Sequence, residues 1–133
     1  QADTESRAAV EIVNAFLDAS MAQDVAKAES YMANDVAIVF TGGRRFASVR
    51  DIAAFNNQRY AWVKKDVHRN DVCPAERGCV VYNTGTLYGA WPDGTLFEGN
   101  RYVDRFEVEG GLIVRMDVWN DSAERLLSTA GGI

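Results

Sequence analysis

A chain of 133 residues suits a single domain that buries roughly two thirds of the surface its unfolded form exposes, so it needs neither metal nor disulfide to hold together. With 47% hydrophobic and 25% charged residues and a formal net charge of -5, it has the composition of a soluble protein, and its scattered basic residues exclude the clustered basic face that a nucleic-acid partner would require. No apolar run approaches the roughly 20 residues of a membrane span. The chain opens at Gln1 rather than Met. A trimmed start and a cleaved export signal are both open, and the expected location is cytoplasmic on the first reading and exported on the second.

In chain order, SRAAVEIVNAFLDASMAQD sets Ala9, Ile12, Val13, Phe16, Leu17 and Met21 at helical spacing, with Thr4 or Ser6 as N-cap. DVAKAESYMA continues as a short second helix capped by Asp24, and DVAIVFTGG is a strand ending in glycines. SVRDIAAFNNQRYAWVKK reads as a third helix, with Ser48 at the N-cap and Asp51 three residues on, and it carries Tyr60 and Trp62.

The period then changes. DVHRNDVC, CVVYNTGTLYGAW, TLFEGNRYVDRF and LIVRMDVWND are four strands in succession, joined by the turn segments PAERG, PDG and EGG. Helices followed by an antiparallel meander make an α+β domain in which a strongly curved sheet wraps the N-terminal helices as a cone and encloses a pocket. Phe16, Phe40, Phe55, Tyr102 and Met116 are expected in its core or cavity. Cys73 and Cys79 flank PAERG, so a disulfide across the hairpin and two free thiols are both open.

One acid breaks the pattern. Alternation places Asn100, Tyr102, Asp104 and Phe106 on one face of their strand, with Arg101, Val103 and Arg105 on the other. Asp104 therefore shares an inward face with two aromatic rings, where an ionised carboxylate is costly and either finds a partner or becomes neutral. On the next strand Asp117 and Trp119 alternate away from Met116, Val118 and Asn120. With Val103 they give the outer sheet face apolar mass that a second copy of the chain would cover, so a homodimer is expected.

The order of elements, AESYMANDVAIVF after the second helix and RYVDRFEVEGGLIVRMDVWND near the end resemble the nuclear transport factor 2-like superfamily, in its SnoaL-like branch. Ketosteroid isomerase, scytalone dehydratase and limonene epoxide hydrolase are relatives. The resemblance covers about residues 5–128 and implies one SnoaL-like domain over 1–133, of the cystatin-like cone fold. It also implies roles. The strand resembling YVDRF holds, in ketosteroid isomerase, a protonated Asp that donates to an oxyanion, and that position is Asp104. The isomerase's Tyr and general base fall at Phe16 and Phe40, so steroid isomerisation is not expected. The dehydratase and epoxide hydrolase relatives spread Tyr, His, Asp and Asn over the inner sheet face, which points to His68, Tyr82, Thr84, Tyr88, Tyr102 and Asn120.

His68, the only histidine, is the side chain best suited to move protons near neutrality, and alternation groups it with Asp66, Asn70 and Val72. The expected catalytic set is Asp104 as acid or oxyanion donor, with a raised pKa and bonded to His68 or Tyr102, and His68 as base. Tyr82, Tyr102, Asn120, Phe16, Phe40, Tyr60, Thr84, Tyr88 and Met116 are expected to bind a small hydrophobic, aromatic or polycyclic substrate. Without a phosphate-binding glycine loop, a G-x-S-x-G elbow or a C-x-x-C pair, and with one histidine, no cofactor or metal is expected. The implied activity is that of a lyase or isomerase; a binding module without catalysis is the alternative.

Overall fold

The structure, a computed structural model, describes residues 2–129, so the two ends of the expected domain lie outside the described residues. Helix α1 (Ala2–Met21) buries Ala9, Val13, Phe16, Leu17 and Ala19 along one stripe, as its spacing dictates. Thr4 and Ser6 lie inside it rather than capping it. Helix α2 (Val25–Glu29) is capped by the Asp24 carboxylate, which accepts from the Lys27 amide at 3.2 Å, but it ends before Tyr31. Met32 already belongs to strand β1 (Met32–Phe40).

A single turn at Thr41–Gly43 leads into a short strand absent from the sequence reading, β2 (Arg44–Phe46). Helix α3 (Val49–Arg59) is capped by Ser48 as expected, its Oγ accepting from the Asp51 amide, while Asp51 Oδ2 reaches one residue past the cap and accepts from the Ala47 amide, each at 3.3 Å. The helix stops at Arg59. Tyr60 caps it in an extended conformation, and Trp62, expected on the helix, opens strand β3 (Trp62–Pro74). Pairing decides this boundary, because Trp62 and Val63 face Ala90 and Gly89 of the next strand and the Ala61 amide donates to Ala90 O.

Strands β4 (Cys79–Ala90), β5 (Leu96–Glu109) and β6 (Leu112–Asn120) complete the meander, and helix α4 (Ser122–Thr129), also unforeseen, follows. The sheet order is β2-β1-β6-β5-β4-β3, antiparallel throughout except where β1 runs parallel to β6. The tight turn before β6 is Gly110-Gly111, both residues with positive φ, which glycine adopts without steric cost. Cys73 and Cys79 are free. Cys73 pairs with Val80 while Pro74 pairs with Cys79, so the two thiols sit one step out of register, Cys73 exposed and Cys79 buried.

Two clusters fill the interior. The larger joins α1 to the concave face through Phe16, Ile38, Val81, Phe106, Ile113 and Met116, with Phe16 edge-on to Phe106 at 5.8 Å. The smaller gathers Tyr60, Leu87, Trp91, Phe97 and Tyr102, its Trp91 and Phe97 rings stacked 4.2 Å apart. Phe55 is half-buried and packs on Phe40 and Phe46. Between the clusters a cavity remains.

Candidate functional site

The alternation read along β5 holds. Asn100, Tyr102, Asp104 and Phe106 are buried, while Arg101 and Val103 are exposed. Asp104 has no solvent exposure at all, and it lines a cavity of about 100 Å³ together with Phe16, Leu17, Phe40, Ile52, Tyr60, Val63, Lys65, Leu87, Met116, Val118 and Asn120. A second space of about 180 Å³, between the end of α1, α3 and the start of β3, shares Ser20, Met21, Ile52, Asn56, Tyr60 and Val63 with the first and adjoins it.

The partner of Asp104 is neither His68 nor Tyr102, as expected, but Lys65, whose Nζ lies 3.0 Å from Asp104 Oδ2. The ammonium also sits 4.1 Å above the centre of the Tyr102 ring, so a carboxylate and an aromatic face hold it together. The Tyr102 hydroxyl is turned away. It donates to Asn83 Oδ1 at 2.6 Å, Asn83 Nδ2 donates to Asn70 Oδ1 at 2.7 Å, and Asn70 Nδ2 donates to Asn14 Oδ1 on α1 at 3.1 Å. This chain of amides fixes the ring plane beneath Lys65.

Two opposed effects act on Asp104. Burial raises its pKa, the larger cause, and the Lys65 charge and hydrogen bond lower it; burial wins and the pKa lies above the ordinary aspartate value. Tyr60 and Tyr102 are pushed up as well, each first by burial and further by the Asp104 charge. Tyr60, at the cavity wall, bonds Ser122 Oγ at 2.7 Å, and Asn120 Oδ1 accepts from the Ser122 amide, which leaves the Asn120 NH2 as a donor.

His68 is displaced from the site by one residue of register. Val67 pairs with Gly85 and Arg69 with Thr84, so His68 is the extra residue of a β-bulge. Lys65 faces in before the bulge and Asn70 and Val72 face in after it. His68 is left outside, its side chain 54% exposed and Nε2 3.6 Å from the exposed Asp66 carboxylate. Tyr82, Thr84 and Tyr88 fall on the convex face, because the buried positions of β4 are the odd ones, Val81, Asn83, Gly85 and Leu87. Of the expected binding residues, Phe16, Phe40, Tyr60, Met116 and Asn120 line the cavity, and Tyr102 lies behind Lys65. The helical reading of residues 48–65 places Lys65 on the third helix, whereas it belongs to β3. The sequence carries no alternation that marks it, since Trp62-Val63-Lys64-Lys65 is two apolar residues followed by two lysines; only the burial of the strand separates Val63 and Lys65 from the exposed Trp62 and Lys64.

The bulge rests on Gly85. A β-carbon there would lie 2.1 Å from Asp66 O and 3.0 Å from the His68 amide, and one at Gly89 would lie 2.2 Å from Trp62 O. The backbone of β3 occupies the space of two missing side chains, and that close approach curls the edge strand over the cone and aims Lys65 inward.

No protein-family model matches the chain, and neither does any curated protein sequence. Solved structures do. An NTF2-like protein of unknown function from Burkholderia pseudomallei aligns over 88% of this chain and 93% of its own at 16% identity, with a TM-score of 0.73. A protein put forward as a polyketide cyclase, from Xanthomonas campestris, aligns over 91% and 96% at 20% identity and a TM-score of 0.72. An LEH-like epoxide hydrolase from M. tuberculosis aligns over 96% and 89% at 20% identity and the same TM-score. The chain has the NTF2-like fold.

Proposed function

We propose that the chain is a small acid/base enzyme, a lyase or isomerase, acting on a hydrophobic ring compound held in the cone. The observation that carries this reading is a fully buried carboxyl with a raised pKa in an otherwise largely apolar cavity, beside one ammonium group. Such a pair suits proton transfer in a dry site. Asp104 carries the proton, as acid or oxyanion donor, and Lys65 steadies the oxygen at which negative charge gathers. Asn56, Tyr60 and Asn120 place the polar groups of the substrate. The chain supplies these groups itself. Relatives of similar fold are named for cyclisation and epoxide hydrolysis, and the reading extends acid/base chemistry of that kind to this chain.

Size narrows the substrate. A cavity of about 150 Å³ binds benzene in another protein. The space of about 100 Å³ thus favours one ring over a fused polycycle, with the adjoining space taking the rest of the molecule.

The second reading, a binding module without catalysis, draws support from the Asp104–Lys65 pair, which neutralises itself without substrate. Deuterium uptake at carbon next to the carbonyl of one-ring ketones, together with conversion of cyclohex-3-enone to its conjugated isomer, separates the two. Wild-type protein should catalyse one or both and Asp104→Asn neither. Saturable binding with no exchange would instead leave the binding module standing. We also propose that the chain works as a homodimer through its convex face, where Tyr82, Tyr88, Val103 and Trp119 are exposed.

A further inference from the structure

The cavity has a basic annex that the chemistry above does not use. Next to the Asp104 chamber is a space of about 200 Å³ that shares Phe40, Asn56, Tyr60 and Asn120 with it and adds Arg44 from β2 and Arg59 from the last turn of α3. Among the described residues no carboxylate lines this annex. The two guanidinium groups lie 4.8 and 5.0 Å from the centre of one ring, that of Phe55, and neither has an acidic partner among the described residues.

A cation–π contact with Phe55 attracts each guanidinium without using any of its N–H donors, which leaves them to meet a ligand. The Arg59 charge reaches into the chamber, since it acts on the Tyr60 hydroxyl. A ligand bridging the two spaces therefore meets apolar walls and the Asp104–Lys65 pair at one end and, at the other, two guanidinium groups without an acidic partner among the described residues. In a chain of net charge -5, such a local concentration of positive charge selects an anion that the rest of the surface repels.

We propose that Arg44 and Arg59 form an oxyanion clasp, so that the substrate is a ring compound bearing a carboxylate or phosphate at the end opposite its reacting carbon. The inference takes from the proposed function only that a ring occupies the chamber. Helix α3 gives Arg59 a second favourable position, at the C-terminal end of the helix dipole, whereas Arg44 on its short edge strand has no such role.

The test is calorimetric titration of the full chain with benzoate, phenyl phosphate, benzamide and benzyl alcohol. At least one of the two anions should bind about tenfold or more tightly than benzamide, as expected for charge-assisted hydrogen bonds, and their relative affinity identifies the head group. Arg44→Gln and Arg59→Gln should each weaken that preference and the double variant abolish it, while thermal melts establish that the variants are folded. Arg59→Lys, which keeps the charge without the fork, covers the case in which Arg59→Gln does not fold. Lys65→Met and Asp104→Asn should retain the preference, so a failed clasp is distinguishable from failed chemistry. Equal binding of benzamide and the anions, binding of none of the four, or a preference lost in Lys65→Met but kept in the double arginine variant would overturn the proposal.

Discussion

Asp104 holds its proton more tightly in the folded chain than in the unfolded one, and this has a definite pH signature. A carboxyl with a raised folded pKa contributes stability that is complete below its unfolded pKa of about 3.9 and is lost as pH rises through the folded value. The difference in melting temperature between wild type and Asp104→Asn should therefore fall across that window and level off above it. Lys65→Met removes the cause that opposes burial, so its own difference curve should move to higher pH. A difference that stays flat from pH 3 to pH 8 would mean that Asp104 is not the group described. The alternation of β5 and its two aromatic neighbours make a buried Asp104 legible in the sequence, whereas its partner is fixed by the fold of β3, two strands earlier.

Strand β3 is where local pattern and tertiary structure part. Alternation carried unbroken from Asp66 to Val72 assigns His68 to the inside, and a single bulged residue reverses that assignment. The bulge in turn depends on Gly85, where the obstruction to any side chain is backbone that cannot rotate away. Gly85→Ala should destabilise the protein by roughly 1–3 kcal/mol, since an atom must be forced into filled space. It should also weaken ring binding, because Lys65 rides on β3, the strand whose backbone Gly85 of β4 abuts. Urea unfolding and the titration above check both, and an alanine variant of unchanged stability would remove Gly85 from the account. A lone glycine inside a strand pattern is a sign of a bulge or of backbone close by, but the sequence does not say which strand approaches it.

At the scale of the whole molecule, the convex sheet face exposes several large apolar side chains. Val103 and Trp119 are cross-strand partners, Trp119 is 51% exposed, and Tyr82 and Tyr88 lie on the same face. Beside them Arg105 and Arg115 bracket the nearly buried Asp117, with Arg115 Nε 2.8 Å from its carboxylate. A face of aromatic and aliphatic groups rimmed by ordered ion pairs is composed like a subunit interface. Light scattering at micromolar concentration should give about twice 14.7 kDa, and Trp119→Glu should halve it without unfolding the chain. A wild-type monomer would end the dimer reading.

The sequence by itself determined the helix stripe of α1, the capped start of α3, the run of long strands and the inward place of Asp104, because each follows from the period of one segment or the chemistry of adjacent residues. The absence of a helix long and apolar enough to cross a membrane among the described residues agrees with its composition. Only the tertiary structure decided the bulge at His68, the short strand β2, helix α4, the parallel joint of β1 with β6, and the meeting of Lys65 with Asp104. Those features depend on which strands pair and in what register. Register is set by packing between segments far apart in the chain, which no local pattern contains.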